Sequence, residues 1–185
     1  MYRFNNVYTD EELADIKTIV EQASQQDCEV QSQYGRLCLE NIVLPDPYLY
    51  RIARLVNDIS PMVLASTGQP LCVIYSKEYG QPDLPPHFDG DDNDLIVDFQ
   101  LDSNTDWSLG LDEHVYKMKD NCALAFNPNK YAHWRPHKEF QDGEYVTMLF
   151  FRFYNPIRKS DYSHLRLSQD DPAFNKARFF RDSLE

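Results

Sequence analysis

The sequence predicts an α+β fold in which two N-terminal helices pack on one face of a double-sheet β-structure, either a barrel or a jelly roll. Three observations carry this prediction. The 185 residues are 42% hydrophobic and 14% aromatic, which is enough to bury a core of two packed layers. Two amphipathic helical patterns lie within residues 1–69. From residue 70 the pattern changes to short β-type runs separated by turn-forming residues.

Each predicted helix begins at a recognisable signal. In TDEELADIKTIVEQAS, Thr9 or Asp10 can cap the helix, and acidic residues fill its first turn. In DPYLYRIARLVNDIS, Asp46 is expected to cap the helix, with Pro47 at its first position. Apolar residues recur at the 3.6-residue helical period in both segments. Between them, RLCLENIVL predicts a short strand that ends before Pro45.

The β-type runs define the rest of a single domain, residues 1–185. They are LCVIYS, DLIVDFQLD, WSLGL, HVYKM, NCALAF and YVTMLFFRFY. We expect residues 1–69 to form a helical support and residues 70–155 to form the jelly-roll core. The polar tail, residues 156–185, is expected to carry a short terminal helix.

Charge and cysteine usage narrow the classes of function. Thirty acidic against eighteen basic residues give a formal charge of −12, which disfavours binding to nucleic acid. No run approaches the roughly 20 apolar residues of a membrane span, so no membrane association is expected. The four cysteines form no CxxC pair, and the acidic start does not resemble a secretory signal. These features predict a cytoplasmic protein with reduced thiols.

The segment DLPPHFDG contains the first candidate metal ligands, His87 and Asp89. Residues i and i+2 of an extended strand point to the same side, and the two preceding prolines favour an extended backbone. His87 and Asp89 would then supply two of the three ligands of a 2-His-1-carboxylate triad. That triad binds Fe(II) and leaves coordination positions open.

The third ligand must come from a distant strand, and NCALAFNPNKYAHWRPHKEF offers the candidates. A hydrophobic strand and a turn precede His133, which would return the chain to the mouth of the barrel. We therefore predict His133 as the third ligand, with His137 as the alternative. His114, in LDEHVYKM, is expected to be an ordinary strand residue.

Residues Leu71–Phe153 resemble the 2-oxoglutarate- and Fe(II)-dependent dioxygenases, in particular their prolyl-4-hydroxylase-like branch. CVIYSKEYGQPDLPPHFDG is similar to the family's Tyr-rich strand, turn and H-x-D motif. HVYKMKDNCALAFNPNKYAHWRP is similar to its later strand, loop and distal histidine. The resemblance implies a double-stranded β-helix, iron ligands His87, Asp89 and His133, and dependence on Fe(II), 2-oxoglutarate and O2.

One part of the family pattern is missing. The family usually places Arg or Lys about ten residues after the distal histidine, where it grips the far carboxylate of 2-oxoglutarate. Aligning Gly143 of QDGEYVTMLFFRFY with the family's glycine puts Tyr145 at this position. If alternate residues from Tyr145 to Phe153 face inward, Arg152 faces outward.

Other side chains are therefore expected to hold the co-substrate. Arg135 can replace the missing basic residue if its side chain turns into the pocket. The hydroxyl groups of Tyr75, Tyr79 and Tyr145 are further candidates for binding 2-oxoglutarate.

By analogy, the predicted activity is hydroxylation of a C–H bond in a peptidyl proline. A free amino acid or another small molecule is the alternative substrate. Two hypotheses of other classes remain open. The first is a jelly-roll module that binds a metal or ligand without turnover, and the second is a purely structural barrel in which H-x-D is coincidental. Partners of the enzyme would be a small-molecule or peptide substrate.

Overall fold

The computed structural model describes residues 1–26, 28–89, 93–157 and 172–184. Its three α-helices are α1 (Asp10–Ser24), α2 (Asp46–Ile59) and α3 (Pro172–Asp182). The strands within these ranges are β1 (Tyr2–Asn5), β2 (Glu29–Gln31), β3 (Arg36–Leu39), β4 (Ala65–Ser66), β5 (Leu71–Ser76), β6 (Leu95–Ser103), β7 (Leu109–Leu111), β8 (His114–Tyr116), β9 (Cys122–Phe126), β10 (His133–Trp134) and β11 (Tyr145–Tyr154). The described chain is thus mostly β-structure with few helices.

The strands form two antiparallel sheets. The large sheet has the order β1-β9-β6-β11-β5-β3-β2, with β4 paired to the end of β11. The small sheet has the order β10-β7-β8. An isolated antiparallel bridge between His87 and His133 extends the small sheet by one position. Most neighbouring strands of the large sheet are not consecutive in sequence, for example β1 and β9 or β5 and β11, so the fold brings residues that are distant in sequence together.

Two hydrophobic clusters bury both faces of the large sheet. On one face, α1 and α2 pack Ile16 and Ile52 against strand residues such as Phe99 and Leu149. On the other face, a second cluster joins residues of the large sheet to residues of the small sheet, for example Met148 to Leu109. The predicted packing of two helices on one face of a double-sheet structure is present.

The helix starts agree only partly with the sequence prediction. Thr9 caps α1, since its hydroxyl accepts from the backbone N–H of Glu12 at 3.2 Å and the Glu12 carboxylate accepts from Thr9 N–H at 2.8 Å. The prediction that Asp46 caps α2 is wrong. Asp46 is already helical, and Pro45, in an extended conformation, occupies the cap position without a side-chain hydrogen bond.

The N-terminal part of the chain does more than support the sheet with helices. Residues 1–69 also contribute β1 to β4, all of which pair with the large sheet. The predicted strand over residues 36–44 ends earlier, at Leu39. The expected terminal helix corresponds to α3, whereas residues 158–171 of the predicted tail lie outside the described residues. Within the described ranges, no helix combines the length and apolar character that crossing a bilayer requires.

Candidate metal centre

The fold joins the two segments that carry the predicted ligands by direct backbone pairing. His87 N–H donates to the carbonyl of His133 at 3.1 Å, and His133 N–H donates to the carbonyl of His87 at 3.0 Å. Directly opposed residues of an antiparallel pair lie close together, so this bridge alone brings the two imidazoles near each other. Their ring centroids are 4.0 Å apart.

Asp89 completes a compact group with the two histidines. One oxygen of its carboxylate, Oδ1, lies 3.1 Å from Nε2 of His133 and 3.7 Å from Nε2 of His87. One ligand atom from each residue can be chosen so that all three lie within 4.8 Å of one another. Among the described residues, this group has the composition and spacing to hold a metal ion.

Backbone carbonyls orient both imidazoles. Nδ1 of His87 lies 2.8 Å from the carbonyl of Pro85, and Nδ1 of His133 lies 3.4 Å from that of Tyr131. A proton on Nδ1 would donate to these carbonyls, so Nε2, the nitrogen next to Asp89, is the atom of each imidazole that would bind a metal. Outer hydrogen bonds of this kind fix the tautomer that a metal-binding histidine needs.

The charges of the three residues are strongly linked in the metal-free state. Burial, reinforced by the charge of His133, lowers the pKa of His87 to about 4. Burial alone would raise the pKa of Asp89, but its hydrogen bond and ion pair with His133 lower it. The same pair raises the pKa of His133 against the effect of burial. A divalent metal would therefore compete with protonation of His133, whereas His87 is already neutral at neutral pH.

Helix α3 contacts both the segment that carries His87 and Asp89 and the segment that carries His133. The guanidinium of the buried Arg181 donates to the carbonyl of Arg135 at 2.8 Å and pairs with Asp83. Near it, Phe180 packs edge-on against Trp134, which follows His133. The alternative ligand His137 lies here, with Nδ1 3.2 Å from Arg181, and does not belong to the His87–Asp89–His133 group. His114 lies exposed in β8.

The three residues line a cavity of about 420 Å³ between the two sheets. Apolar side chains form part of its wall, and five charged residues besides the histidines face it. These are Arg36, Asp89, Asp98, Arg135 and Arg152. A partly apolar cavity with a few convergent polar groups is typical of small-molecule sites.

Arg135 is the most deeply buried of the cavity arginines, with 1% of its surface exposed. Its Nη1 donates to the carbonyl of Trp107 at 2.7 Å, and the guanidinium lies 4.9 Å above the Trp107 ring. Its Nε is buried and has no hydrogen-bond partner in the described part of the chain. An N–H left unpaired in a buried guanidinium would be satisfied by an anion bound in the cavity.

Tyr75 lies beside Arg135 in the same cavity and is fully buried. Its hydroxyl accepts a hydrogen bond from Nη1 of Arg36 at 3.2 Å. Burial raises the pKa of Tyr75, so the hydroxyl keeps its proton and can donate it to a ligand. Arg36 could not be predicted from the sequence, because only the pairing of β3 with β5 brings Arg36 opposite Tyr75.

The other two predicted co-substrate residues lie elsewhere. Tyr145 donates from its hydroxyl to the Asp102 carboxylate at 2.7 Å, and Tyr79 packs against the helix-side cluster. Neither is among the residues that line the cavity. Of the four predicted residues, the structure therefore brings Tyr75 and Arg135 to the cavity but not Tyr79 and Tyr145.

The predicted orientation of β11 is wrong. Leu149, Phe151 and Phe153 face the helix-side cluster, whereas the alternate residues Val146 and Met148 face the space between the sheets. Arg152 shares the face of Val146 and Met148 and lines the cavity, although it was predicted to face outward. Because both faces of β11 are covered, apolar residues occupy both sides and alternation does not identify the inner face.

Asp98 places a second carboxyl group in the cavity wall, with 4% of its surface exposed. Burial raises its pKa to about 6, although the nearby charges of His133 and Arg135 act in the opposite direction. Ionised Asp98 therefore destabilises the metal-free protein. Because the pKa of Asp98 is raised on folding, this loss of stability is absent below about pH 4. It grows as the pH rises towards 6 and is complete above pH 6.

Replacing Asp98 with Asn should accordingly stabilise the metal-free protein at pH 7.5. The expected gain in the free energy of unfolding is about 3 kcal/mol at most, and it should shrink as the pH falls below 6. Urea unfolding in the presence of a chelator, repeated at several pH values, measures the gain in the free energy of unfolding and its dependence on pH. Asp142→Asn is the matched control, since Asp142 is almost fully exposed beside Lys77 and should change stability by less than about 0.5 kcal/mol. A gain in stability that does not depend on pH would contradict the raised pKa of Asp98.

Several solved structures share this fold. SnoN, a non-haem α-ketoglutarate-dependent epimerase from nogalamycin biosynthesis, matches with a TM-score of 0.67 at 10% identity, over 83% of this chain and 76% of SnoN. A Pseudomonas putida prolyl-4-hydroxylase matches with a TM-score of 0.61 at 11% identity, over 83% and 91% of the two chains. HygX from Streptomyces hygroscopicus, with nickel, 2-oxoglutarate and hygromycin B bound, matches with a TM-score of 0.59 at 12% identity, over 84% and 82%.

No protein-family model matches the sequence, and no curated protein matches it by sequence. At such low identity the structural matches establish the fold, which is shared with 2-oxoglutarate-dependent enzymes, and leave the substrate open. Another HygX structure contains iron. The predicted Fe(II) and 2-oxoglutarate agree with two findings: HygX, which shares the fold, is seen with iron or with nickel and 2-oxoglutarate bound, and this chain contains the His–Asp–His group.

Proposed function

We propose that the protein is an Fe(II)- and 2-oxoglutarate-dependent oxygenase with a double-stranded β-helix core. The observation that carries the proposal is the convergence of His87, Asp89 and His133 on one point in the wall of a cavity. Two imidazoles and one carboxylate are the donor set of non-haem Fe(II) sites that keep coordination positions open. Bound there, iron with 2-oxoglutarate and O2 would oxidise a substrate C–H to C–OH, with succinate and CO2 as co-products.

The residues of the chain would prepare the site for this chemistry. His87 and His133 would present Nε2 to the metal, because the carbonyls of Pro85 and Tyr131 orient their Nδ1 atoms. Asp89 would supply the single carboxylate ligand. The apolar wall and the buried position of His133 limit the access of water to the centre.

Arg135 and Tyr75 would hold the distal carboxylate of 2-oxoglutarate. Support comes from the buried, unpaired Nε of Arg135 among the described residues and from the protonated hydroxyl of Tyr75 beside it. Because His133 and Arg135 are two residues apart, a ligand that chelates the metal can extend from one towards the other. This pair would take over the role of the basic residue that is missing near Tyr145.

A C–H bond of a peptidyl proline remains the substrate predicted from the family resemblance. The similar structures include a prolyl-4-hydroxylase and also HygX with hygromycin B bound, so the fold is compatible with ligands of different chemical classes. A small-molecule substrate is therefore the second candidate.

The proposal is tested by anaerobic titration with Fe(II) and 2-oxoglutarate, followed by exposure to O2. The expected result is a weak visible charge-transfer band that needs both additions, and then formation of succinate that depends on iron. A band without succinate would indicate a binding protein without turnover. The lack of any band, together with no measurable affinity for metal, would leave a structural β-protein.

A further inference from the structure

Arg152 is the cavity residue for which the proposed function gives no role. It lies near the end of β11, opposite Ile96 of β6, and both side chains line the cavity. Within the described residues, its guanidinium forms neither a hydrogen bond nor an ion pair, and it interacts with Asp89 only through longer-range charge. A guanidinium without a partner beside a metal site is available to a ligand.

The charges of the cavity leave room for an anion in addition to the co-substrate. The residues that line the cavity include three arginines and two aspartates. The charges of a divalent metal and of dianionic 2-oxoglutarate cancel, so the loaded cavity would retain at least one positive charge. This local excess stands out in a chain with a net charge of −12 and favours a negatively charged substrate.

The backbone of Arg152 lies far from that of Tyr75, one of the two residues proposed to hold the co-substrate. Tyr75 pairs with Val146 of β11, and Arg152 follows six residues further along the same strand. Six residues of extended strand span about 20 Å between backbone positions. Arg36 is closer to the Tyr75 end, where it contacts Tyr75 and Gln31. A short dicarboxylate held by Arg135 and Tyr75 therefore leaves Arg152 for another ligand.

We propose that Arg152 binds an anionic group of the substrate, a carboxylate or a phosphate. This inference rests on the proposed function, since it assigns the other end of the cavity to 2-oxoglutarate. Leu71, Ile96 and Phe150 line the same cavity, so the part of the substrate next to the anion is apolar. A small organic acid or phosphate ester fits this arrangement better than the interior of a neutral peptide.

The test follows the arginine Nε–H resonances by NMR in the protein loaded with Zn(II), a diamagnetic substitute for iron, and 2-oxoglutarate. Inorganic phosphate and acetate are added separately, with acetamide as the neutral counterpart of acetate. The resonance of Arg152 should shift saturably with at least one of the two anions, and acetamide should have no effect. A response to only one anion would identify which of the two groups is recognised.

Variants make the result specific to Arg152. Arg152→Gln should weaken the binding of the responding anion by roughly tenfold or more, and Arg152→Lys should retain part of it because the charge remains. Arg54→Gln, on the exposed side of α2, is the matched control and should bind the anion as the wild type does. A retained NMR spectrum shows that each variant is folded.

Three results would overturn the inference. If 2-oxoglutarate itself shifts the Arg152 resonance and neither anion does, Arg152 belongs to the co-substrate site. If Arg54 responds as strongly as Arg152, the anions bind without a specific site. If Arg152 responds to nothing, the anion site does not exist. Failure of Zn(II) or 2-oxoglutarate to load would instead refute the proposed function, and phosphate titration of the unloaded protein would still test Arg152.

Discussion

Replacing Asp89 with Ala should abolish Fe(II) binding while the protein stays folded. Asp89 is the only carboxylate in the His87–Asp89–His133 group, and its Oδ1 lies near Nε2 of both histidines. Loss of an outer partner of a metal ligand already costs roughly 10–100-fold in affinity, so loss of a direct ligand should cost more. His87→Ala and His133→Ala should have the same effect. Metal binding is measured by competition with a chromogenic chelator.

The control for this prediction is His137→Ala. His137 is the nearby histidine that the structure places with Arg181 rather than with the metal group. The variant should keep the metal affinity of the wild type. Loss of iron in His137→Ala but not in His133→Ala would show that the site is built differently. Far-UV circular dichroism should show that the Ala variants keep the fold, because the helix-side core does not include these ligands.

Replacing Arg135 with Gln should weaken 2-oxoglutarate binding by roughly 100-fold while metal binding is retained. Removing one partner of a buried, hydrogen-bonded charge pair typically costs 2–5 kcal/mol, and each 1.4 kcal/mol is about tenfold in affinity. Arg135→Lys keeps a positive charge but loses the planar fork, so an intermediate effect is expected. The affinity is measured from the visible band of the anaerobic Fe(II) complex or by calorimetry with Zn(II).

Tyrosine variants provide matched controls for the co-substrate site. Tyr75→Phe removes a cavity hydroxyl and should weaken 2-oxoglutarate by roughly tenfold. Tyr145→Phe should leave the affinity unchanged, because its hydroxyl donates to Asp102 outside the cavity. If Arg36→Gln abolishes 2-oxoglutarate binding and Arg135→Gln does not, then Arg36 is the anchor of the distal carboxylate.

The local part of the candidate metal centre could be predicted from the sequence. His87 and Asp89 follow two prolines and are two residues apart, so an extended backbone is enough to direct both side chains towards one point. His133 could be selected because a strand and a turn precede it. Its distance from Asp89, 3.1 Å in the structure, depends on the backbone bridge to His87, which is a long-range contact.

The face on which the residues of β11 lie could not be predicted. Val146, Met148, Leu149 and Phe151 are all buried, since helices cover one side of the strand and the small sheet covers the other. The pairing of β11 with β6 also shifts register between Thr147 and Met148. A strand buried on both faces has no polar side, so counting alternate residues assigned Arg152 to the wrong face.

By itself, the sequence determined the β-rich fold with two supporting helices, because these follow from periodicity and turn residues. It also determined the kinds of residue in the candidate metal centre, two histidines and one aspartate, because these follow from spacing within short segments. Only the tertiary structure decided which arginines face the cavity. Arg36, Arg135 and Arg152 come from three distant strands or segments, and each is directed inward by the pairing of its own backbone with a neighbour. That pairing depends on contacts between residues far apart in the chain, which no local pattern encodes.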